Sequence, residues 1–456
     1  MIVFVHYKTH AHDGVSVSIE KRAEVFRQMG QDVGYITGFD PGADQKNVVV
    51  IPELDVNHKE VSKLRSWLFS KPEEVEEEQV LSLYSKLRTQ IVIQLHQALE
   101  KLQPDLVFVH NLFSHGYNIS ASSAMINILD VLKIPTVSIN HDFWFQRQHF
   151  SRPQFDFIKI NLDFLPPDRE YILEHHTMNS LSKAALQQRR GIKAKQVGGF
   201  FDFSQKPQKK DAFNQDLRKK LKVGEGDILV LQANRITPRK NFETSIRFCQ
   251  KLQANLRKKA PLEVSRRAFT QKSRVILLIP NFVELEAKWY VEELKKLAKE
   301  LEVTVIWGQE FFNSQRSQTP KIYSIWDAYV EADLVMYPSV WERFGSQLLE
   351  VFFYQKLPVI FEYPIFGLDL KPLGYEFVSL GNKEVTRQAL KVIPPNAMNQ
   401  AVRDAVRYLT QPDKLAKLTA KNFKIAQTNH DSSALHKSMK FLLKRAKEKR
   451  SSKKLT

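Results

Sequence analysis

Short apolar runs dense in Val and Ile, separated by stretches with helical spacing, occur in two consecutive sets. This repetition restricts the fold more than any other feature of the chain. The first set is IVFVHY (2–7), DVGYIT (32–37), NVVVIP (47–52), DLVFVH (105–110), TVSIN (136–140), FIKIN (157–161) and KQVGG (195–199). Helical patterns lie between them, from Val15 to Gly30, over roughly 57–103 and from Ala121 to Leu132. The polar, charged stretch SQKPQKKDAFNQD then interrupts the pattern and reads as a linker. The second set follows as ILVLQAN (228–234), RVILLIP (274–280), VTVIW (303–307), DLVMYPS (333–339) and LPVIFEY (357–363), before a helical stretch over 397–449. Strands apolar on both faces, alternating with helices, pack as parallel βαβ units. The prediction is an α/β chain of two Rossmann-like, doubly wound parallel-sheet domains, residues 1–205 and 206–429. In such sheets ligands bind beyond the carboxyl ends of the strands.

The bulk properties agree with that division. A chain of 456 residues exceeds what one core serves. MIVFVHY has neither the basic start nor the long apolar run of a secretory signal, and no stretch reaches the roughly 20 apolar residues of a membrane span. The single Cys249 excludes an internal disulfide and, at helical spacing with Phe242, Ile246 and Leu252, reads as a core thiol. A cytoplasmic location is expected. The net charge of +18 is concentrated in residues 206–222, 257–274 and 441–456, which carry +5, +6 and +6. Such segments serve as solvated charge. They would also suit a polyanion, and peripheral contact of the basic tail 450–456 with an anionic membrane and contact with nucleic acid are both kept as options.

Two places carry candidate chemistry. In WERFGSQLLE, Glu342 and Glu350 straddle the start of a helix predicted from about Gly345, with Phe344 and Gly345 at its amino end, where free N–H groups receive hydroxyls and anions. Taken alone, two acids eight positions apart also fit a solvated helix face. The second place follows ILVLQAN, where Arg235 and Lys240 flank a turn with Pro238, an arrangement suited to a diphosphate. His6, His10 and His12 have weak metal-site spacing and lack an accompanying Cys or acid pair, so no metal is expected. Asp142 reads equally as a cap or as an acceptor contact, and Trp144 as packing or as a sugar platform.

The combination R-x4-K after the first strand of the second domain, followed by YPS-x-x-E-x-FG-x5-E, resembles the family-four retaining glycosyltransferases of GT-B type. HDFWF (141–145), NSLSKAALQQRRG (179–191) and YSIWDAYVEADLVMYPS extend the resemblance over most of the chain. The chain departs from the family pattern at Asn234 and Arg343, where glycine is usual, and in a first loop with one glycine rather than two. The resemblance implies two domains facing a central cleft, with a C-terminal helix of about 430–449 packed back on the first. It implies a hexose transferred with retention from a nucleotide-diphosphate sugar, of UDP-glucose or GDP-mannose type, to a hydroxyl of a small solute, glycan or lipid. No cofactor would be required.

The same resemblance implies residue roles. Arg235 and Lys240 would take the diphosphate. Glu342 would contact the sugar ring, the backbone at Phe344 and Gly345 its hydroxyls, and Glu350 the ribose, with Arg343 and Ser346 as further donor-binding residues. Gly14 would admit the donor phosphate, and His110 would lie near the anomeric carbon. His12, His141, Asp142 and Trp144 are acceptor-side candidates. A catalytically inactive GT-B binding subunit and a glycosyltransferase acting on nucleic acid are the alternative readings.

Overall fold

The computed structural model describes residues 1–11, 13–42, 46–70, 75–281, 287–387 and 390–453. The chain divides into two compact units, residues 1–198 with 433–456, and residues 199–432.

The first unit is built from β1 (Ile2–Lys8), α1 (Gly14–Gln28), β2 (Val33–Phe39), β3 (Val48–Val50), α2 (Lys59–Phe69), α3 (Glu77–Leu102), β4 (Leu106–His110), α4 (Ile119–Leu132), β5 (Thr136–Asn140), α5 (Asp156–Asp163), β6 (Ile172–Thr177), α6 (Ser180–Arg190) and β7 (Ala194–Gln196). Its seven strands form one parallel sheet in the order β3-β2-β1-β4-β5-β6-β7. The central strands are buried on both faces, as their unbroken apolar runs require. Helix starts follow side-chain capping. The Asp13 carboxylate accepts from the Val15 and Ser16 N–H groups at 2.9 and 3.0 Å, while Asn118 and Asn179 cap α4 and α6 in the same way.

FIKIN departs from its predicted strand and lies in helix α5. Ile158 and Leu162 are buried there, whereas Ile160 is exposed, so the true period is four residues rather than two.

The second unit runs through α7 (Leu217–Lys220), β8 (Ile228–Leu231), α8 (Phe242–Arg257), β9 (Leu262–Val264), β10 (Arg267–Phe269), β11 (Val275–Ile279), α9 (Lys288–Glu300), β12 (Thr304–Trp307), β13 (Phe312–Asn313), β14 (Ser317–Gln318), β15 (Lys321–Ser324), α10 (Ile325–Glu331), β16 (Leu334–Tyr337), α11 (Ser346–Phe353), β17 (Leu357–Ile360), β18 (Val378–Ser379), β19 (Val385–Arg387), β20 (Leu390–Val392), α12 (Pro395–Leu409) and α13 (Pro412–His430). Its main sheet is parallel in the order β12-β11-β8-β16-β17-β18. Cys249 is buried in the core beside Phe242, Ile246 and Leu252, and burial pushes its thiol pKa up.

Helix α14 (Ser432–Lys453) belongs, from residue 433, to the first unit. Leu435, Met439, Leu442 and Ala446 are buried on one of its faces. Arg445 reaches the Leu173 carbonyl at 3.2 Å and lies 3.6 Å from Glu174, Lys449 lies 3.6 Å from Glu170, and Arg450 pairs with Asp105. Part of the basic segment 441–456 is thus folded onto acids of its own unit. Among the described residues no helix is long and apolar enough to cross a membrane.

Candidate active site

β8 and β16 are neighbours in the second sheet, so the loops leaving their carboxyl ends run side by side. The Val340 N–H donates to the Arg239 carbonyl at 3.0 Å, and the Asn241 side-chain amide donates to the Pro338 carbonyl at 3.3 Å. This joining brings the Lys240 ammonium onto one oxygen of the Glu342 carboxylate and places the Arg239 guanidinium 3.0 Å from the other. Lys240 and Glu342 are both buried. Burial alone pushes the Glu342 pKa up, but Lys240 and Arg239 outweigh it and hold the carboxyl below its ordinary value. Burial lowers the Lys240 pKa, with Arg239 and Arg235 acting in the same direction against the opposing pull of Glu342. Arg235 is half-buried and close enough to act on that ammonium.

The sequence pattern supplied Arg235, Lys240 and Glu342. It passed over Arg239, which sits inside the same R-x4-K span and whose signal was its place in the Pro-Arg-Lys turn.

Gly345 caps α11 with φ of 103°, a left-handed conformation that favours glycine. A Cβ there would collide with the Tyr363 hydroxyl, which donates to the Phe344 carbonyl at 2.6 Å. Ser346 is exposed at the first turn of α11, and the Arg343 guanidinium lies 5.7 Å from the centre of the exposed Trp341 ring. Glu350 accepts from the Tyr329 hydroxyl at 3.0 Å. Burial pushes the Tyr337 hydroxyl pKa up, and Glu342 and Glu350 both add to that rise. Asn234, the family's usual glycine position, donates its amide to the Gln347 side-chain carbonyl on α11.

In the first unit, His110 is fully buried at the end of β4. Its carbonyl accepts from His6 Nδ1 at 2.9 Å, and its own Nδ1 faces His141 Nε2 at 3.4 Å. Burial holds the His110 pKa well below the ordinary value, and the His141 ring deepens the effect, so the imidazole is neutral at physiological pH. Asp142 accepts from Arg147 and is paired with His115. Trp144 is buried in the core under α2–α5, with Arg189 4.6 Å from its ring centre. It therefore packs rather than offering an open platform.

Among the described residues nothing lies within 4 Å of a Cβ placed on Gly14, so their packing does not demand glycine there. His12 lies outside the described residues. His10 bonds Asp40 at 2.6 Å rather than joining His6, and no three metal-ligating side chains converge among the described residues.

The family model for glycosyl transferases group 1 matches residues 213–367, the part holding Arg235, Lys240, Glu342 and Glu350. A mannosylglucosylglycerate synthase from Petrotoga mobilis is 30% identical over 419 residues, covering 92% of this chain and 95% of its own. The chain belongs to the group 1 glycosyltransferases. A second mannosylglucosylglycerate synthase, from Thermotoga maritima, is 29% identical over 93% of this chain and 95% of its own. Among solved structures, a glycosyltransferase from Rickettsia africae superposes with a TM-score of 0.62 at 11% identity over 98% of each chain. The sucrose-phosphate synthase of Thermosynechococcus elongatus does so at 0.59 and 13% over 97% of this chain and 98% of its own. These structural likenesses bear on the fold alone, and the two parallel-sheet units are those of a GT-B glycosyltransferase.

Proposed function

We propose that this group 1 glycosyltransferase moves a mannosyl group, with retention at the anomeric carbon, from a nucleotide-diphosphate mannose to a hydroxyl of a small carboxylate-bearing glucoside of glucosylglycerate type. The observation carrying the donor half is the joined cluster of Lys240, Arg239 and Glu342, with Arg235 beside it. Lys240, Arg239 and Arg235 supply cationic donors of the kind that suit the two negative charges of a sugar-nucleotide diphosphate. The acceptor half is supported by the two relatives named for mannosylglucosylglycerate, which this chain matches over nearly its full length.

In this reading the diphosphate draws Lys240, Arg239 and Arg235 toward itself, and Glu342 turns from Lys240 to the sugar hydroxyls. The amino end of α11, at Gly345 and Ser346, offers backbone N–H groups to the same ligand. Glu350 holds the ribose, Gly14 lets the diphosphate approach the backbone, and neutral His110 hydrogen-bonds the transferred sugar. The leaving diphosphate is stabilised by cations already in position, so charge neutralisation and placement supply the catalysis without a protein nucleophile or an added cofactor.

The test is thermal shift with GDP, UDP and their mannose and glucose esters, followed by determination of the product anomer. A ligand bound only by the folded chain raises its melting temperature. Arg235→Ala is expected to abolish the rise and Glu350→Ala to weaken it. An unaltered rise in both variants removes the assigned site, and an inverted product removes the retaining mechanism.

A further inference from the structure

A second basic cluster stands at the carboxyl end of the first unit's sheet. It comprises Arg65 on α2, Tyr117 after β4, Arg147 after β5 and Tyr7 near the end of β1. Arg147 sends Nε and Nη2 to Asp142 at 2.9 and 2.7 Å, and Nη1 to the Tyr117 hydroxyl at 2.7 Å. Its guanidinium carbon lies 5.3 Å from the Tyr117 ring centre, and that of Arg65 lies 5.8 Å from the same centre. Both arginines thus approach one ring.

Their charge is under-answered. Arg65 bonds the Val56 carbonyl at 2.7 Å and Ser62 Oγ at 3.1 Å, and it makes no ion pair among the described residues, with Asp55 acting only at longer range. Asp142 is the acid paired with Arg147, and it is shared with His115. Burial lowers the His149 pKa, and Arg147 and Arg65 lower it further against the opposing pull of Asp142.

An independent sign is Tyr7. Its hydroxyl is buried and has no hydrogen-bond partner among the described residues. The ring stands edge-on to Tyr117 at 6.4 Å, within the field of both arginines. A buried, unpaired hydroxyl beside a surplus cation is an unmet donor facing an unmet charge.

We propose that Arg65 and Arg147, with the Tyr7 hydroxyl, form the subsite that holds the acceptor's carboxylate. This rests on the acceptor class proposed above. The planar guanidinium of Arg65 can take a carboxylate through two N–H donors, and the phenol adds a third. The subsite would select an anionic glucoside over a neutral one.

The experiment is steady-state transfer by the full chain, at saturating nucleotide mannose, to glucosylglycerate and to uncharged glucosylglycerol. It compares wild type with Arg65→Gln, Arg147→Gln, Arg65→Lys and Tyr7→Phe. The expected result for the two Gln variants is a rise in KM for glucosylglycerate of about 10- to 100-fold, the loss of one charge-assisted hydrogen-bonded contact. KM for glucosylglycerol should be unchanged, so the preference between the acceptors collapses. Arg65→Lys should recover part of that preference, because the charge returns without the fork. A wild-type rise in melting temperature with GDP-mannose certifies that each variant is folded. Unchanged KM and preference in both Gln variants would overturn the proposal, and so would an equal loss for both acceptors. If the wild type transfers to neither acceptor while still binding nucleotide mannose, the acceptor class itself fails, and the subsite with it.

Discussion

At the scale of single residues, the pair Lys240–Glu342 governs the second unit's site. Both groups are nearly enclosed, at 7% and 11% side-chain exposure, so each depends on the other for compensation. Glu342→Ala leaves a buried ammonium beside Arg239 and Arg235, and is expected to lower stability by about 3–5 kcal/mol. Replacing both members, as Lys240→Met/Glu342→Leu, should lose less than the sum of the single changes. Denaturation midpoints of the three variants check this. The pH sign follows from the carboxylate. The Glu342 pKa is depressed in the folded chain, so its contribution is complete above the ordinary value of 4.5 and is lost as the pH falls toward its own lower value. Much of this site was legible in the sequence, because Arg235, Lys240 and Glu342 carry a spacing set by two adjacent strand ends. Tyr329 and Tyr363 were not, since their contributions come from contacts that spacing along the chain does not record, and Arg239 stood unread inside the R-x4-K span. The Arg65–Arg147 cluster was hidden for the same reason: its members are scattered from residue 7 to residue 147 and meet only at a strand edge.

At the scale of elements, strands buried on both faces announced themselves, and ILVLQAN, RVILLIP, DLVMYPS and LPVIFEY each contain one, while VTVIW holds the partly exposed edge strand β12. Short or strained elements did not. The hairpin β9–β10 turns through Ser265 and Arg266, both at positive φ of 50° and 60°, without the Asn-Gly signal that usually marks such a turn. It lies in the basic segment 257–274. Strand β6 carries Glu174, His175 and His176, polar residues that mask its pattern. Helix α1 starts at a local side-chain cap. Asp13 fixes the first turn directly beside Gly14, and Ser16 and Lys8 hold its carboxyl below the ordinary value against the upward push of burial. Asp13→Ala is expected to cost about 1 kcal/mol and to loosen the loop that we propose admits the donor. A lowered melting temperature with a weaker donor-induced rise would show both effects. A normal rise would detach the cap from donor binding.

At the scale of the whole molecule, the basic excess is partly folded inward. Arg267 pairs with Asp333, Arg274 with Asp227, and Arg445, Lys449 and Arg450 with acids of the first unit. These pairs leave less of the +18 free for a polyanion than the sequence alone suggests. Deleting residues 433–456 strips an apolar helix face from the first unit along with those three pairs. The truncated chain is expected to show a lower first-unit melting transition and to bind a hydrophobic dye, with the second unit's transition little changed. Equal stability of the truncated and full chains would show that α14 contributes nothing. The placement of α14 also orders biosynthesis. The first unit's polypeptide emerges from the ribosome early, yet the helix that covers it is translated only after residues 199–432. Its uncovered surface therefore waits, exposed to chaperones and to neighbouring nascent chains, throughout synthesis of the other unit.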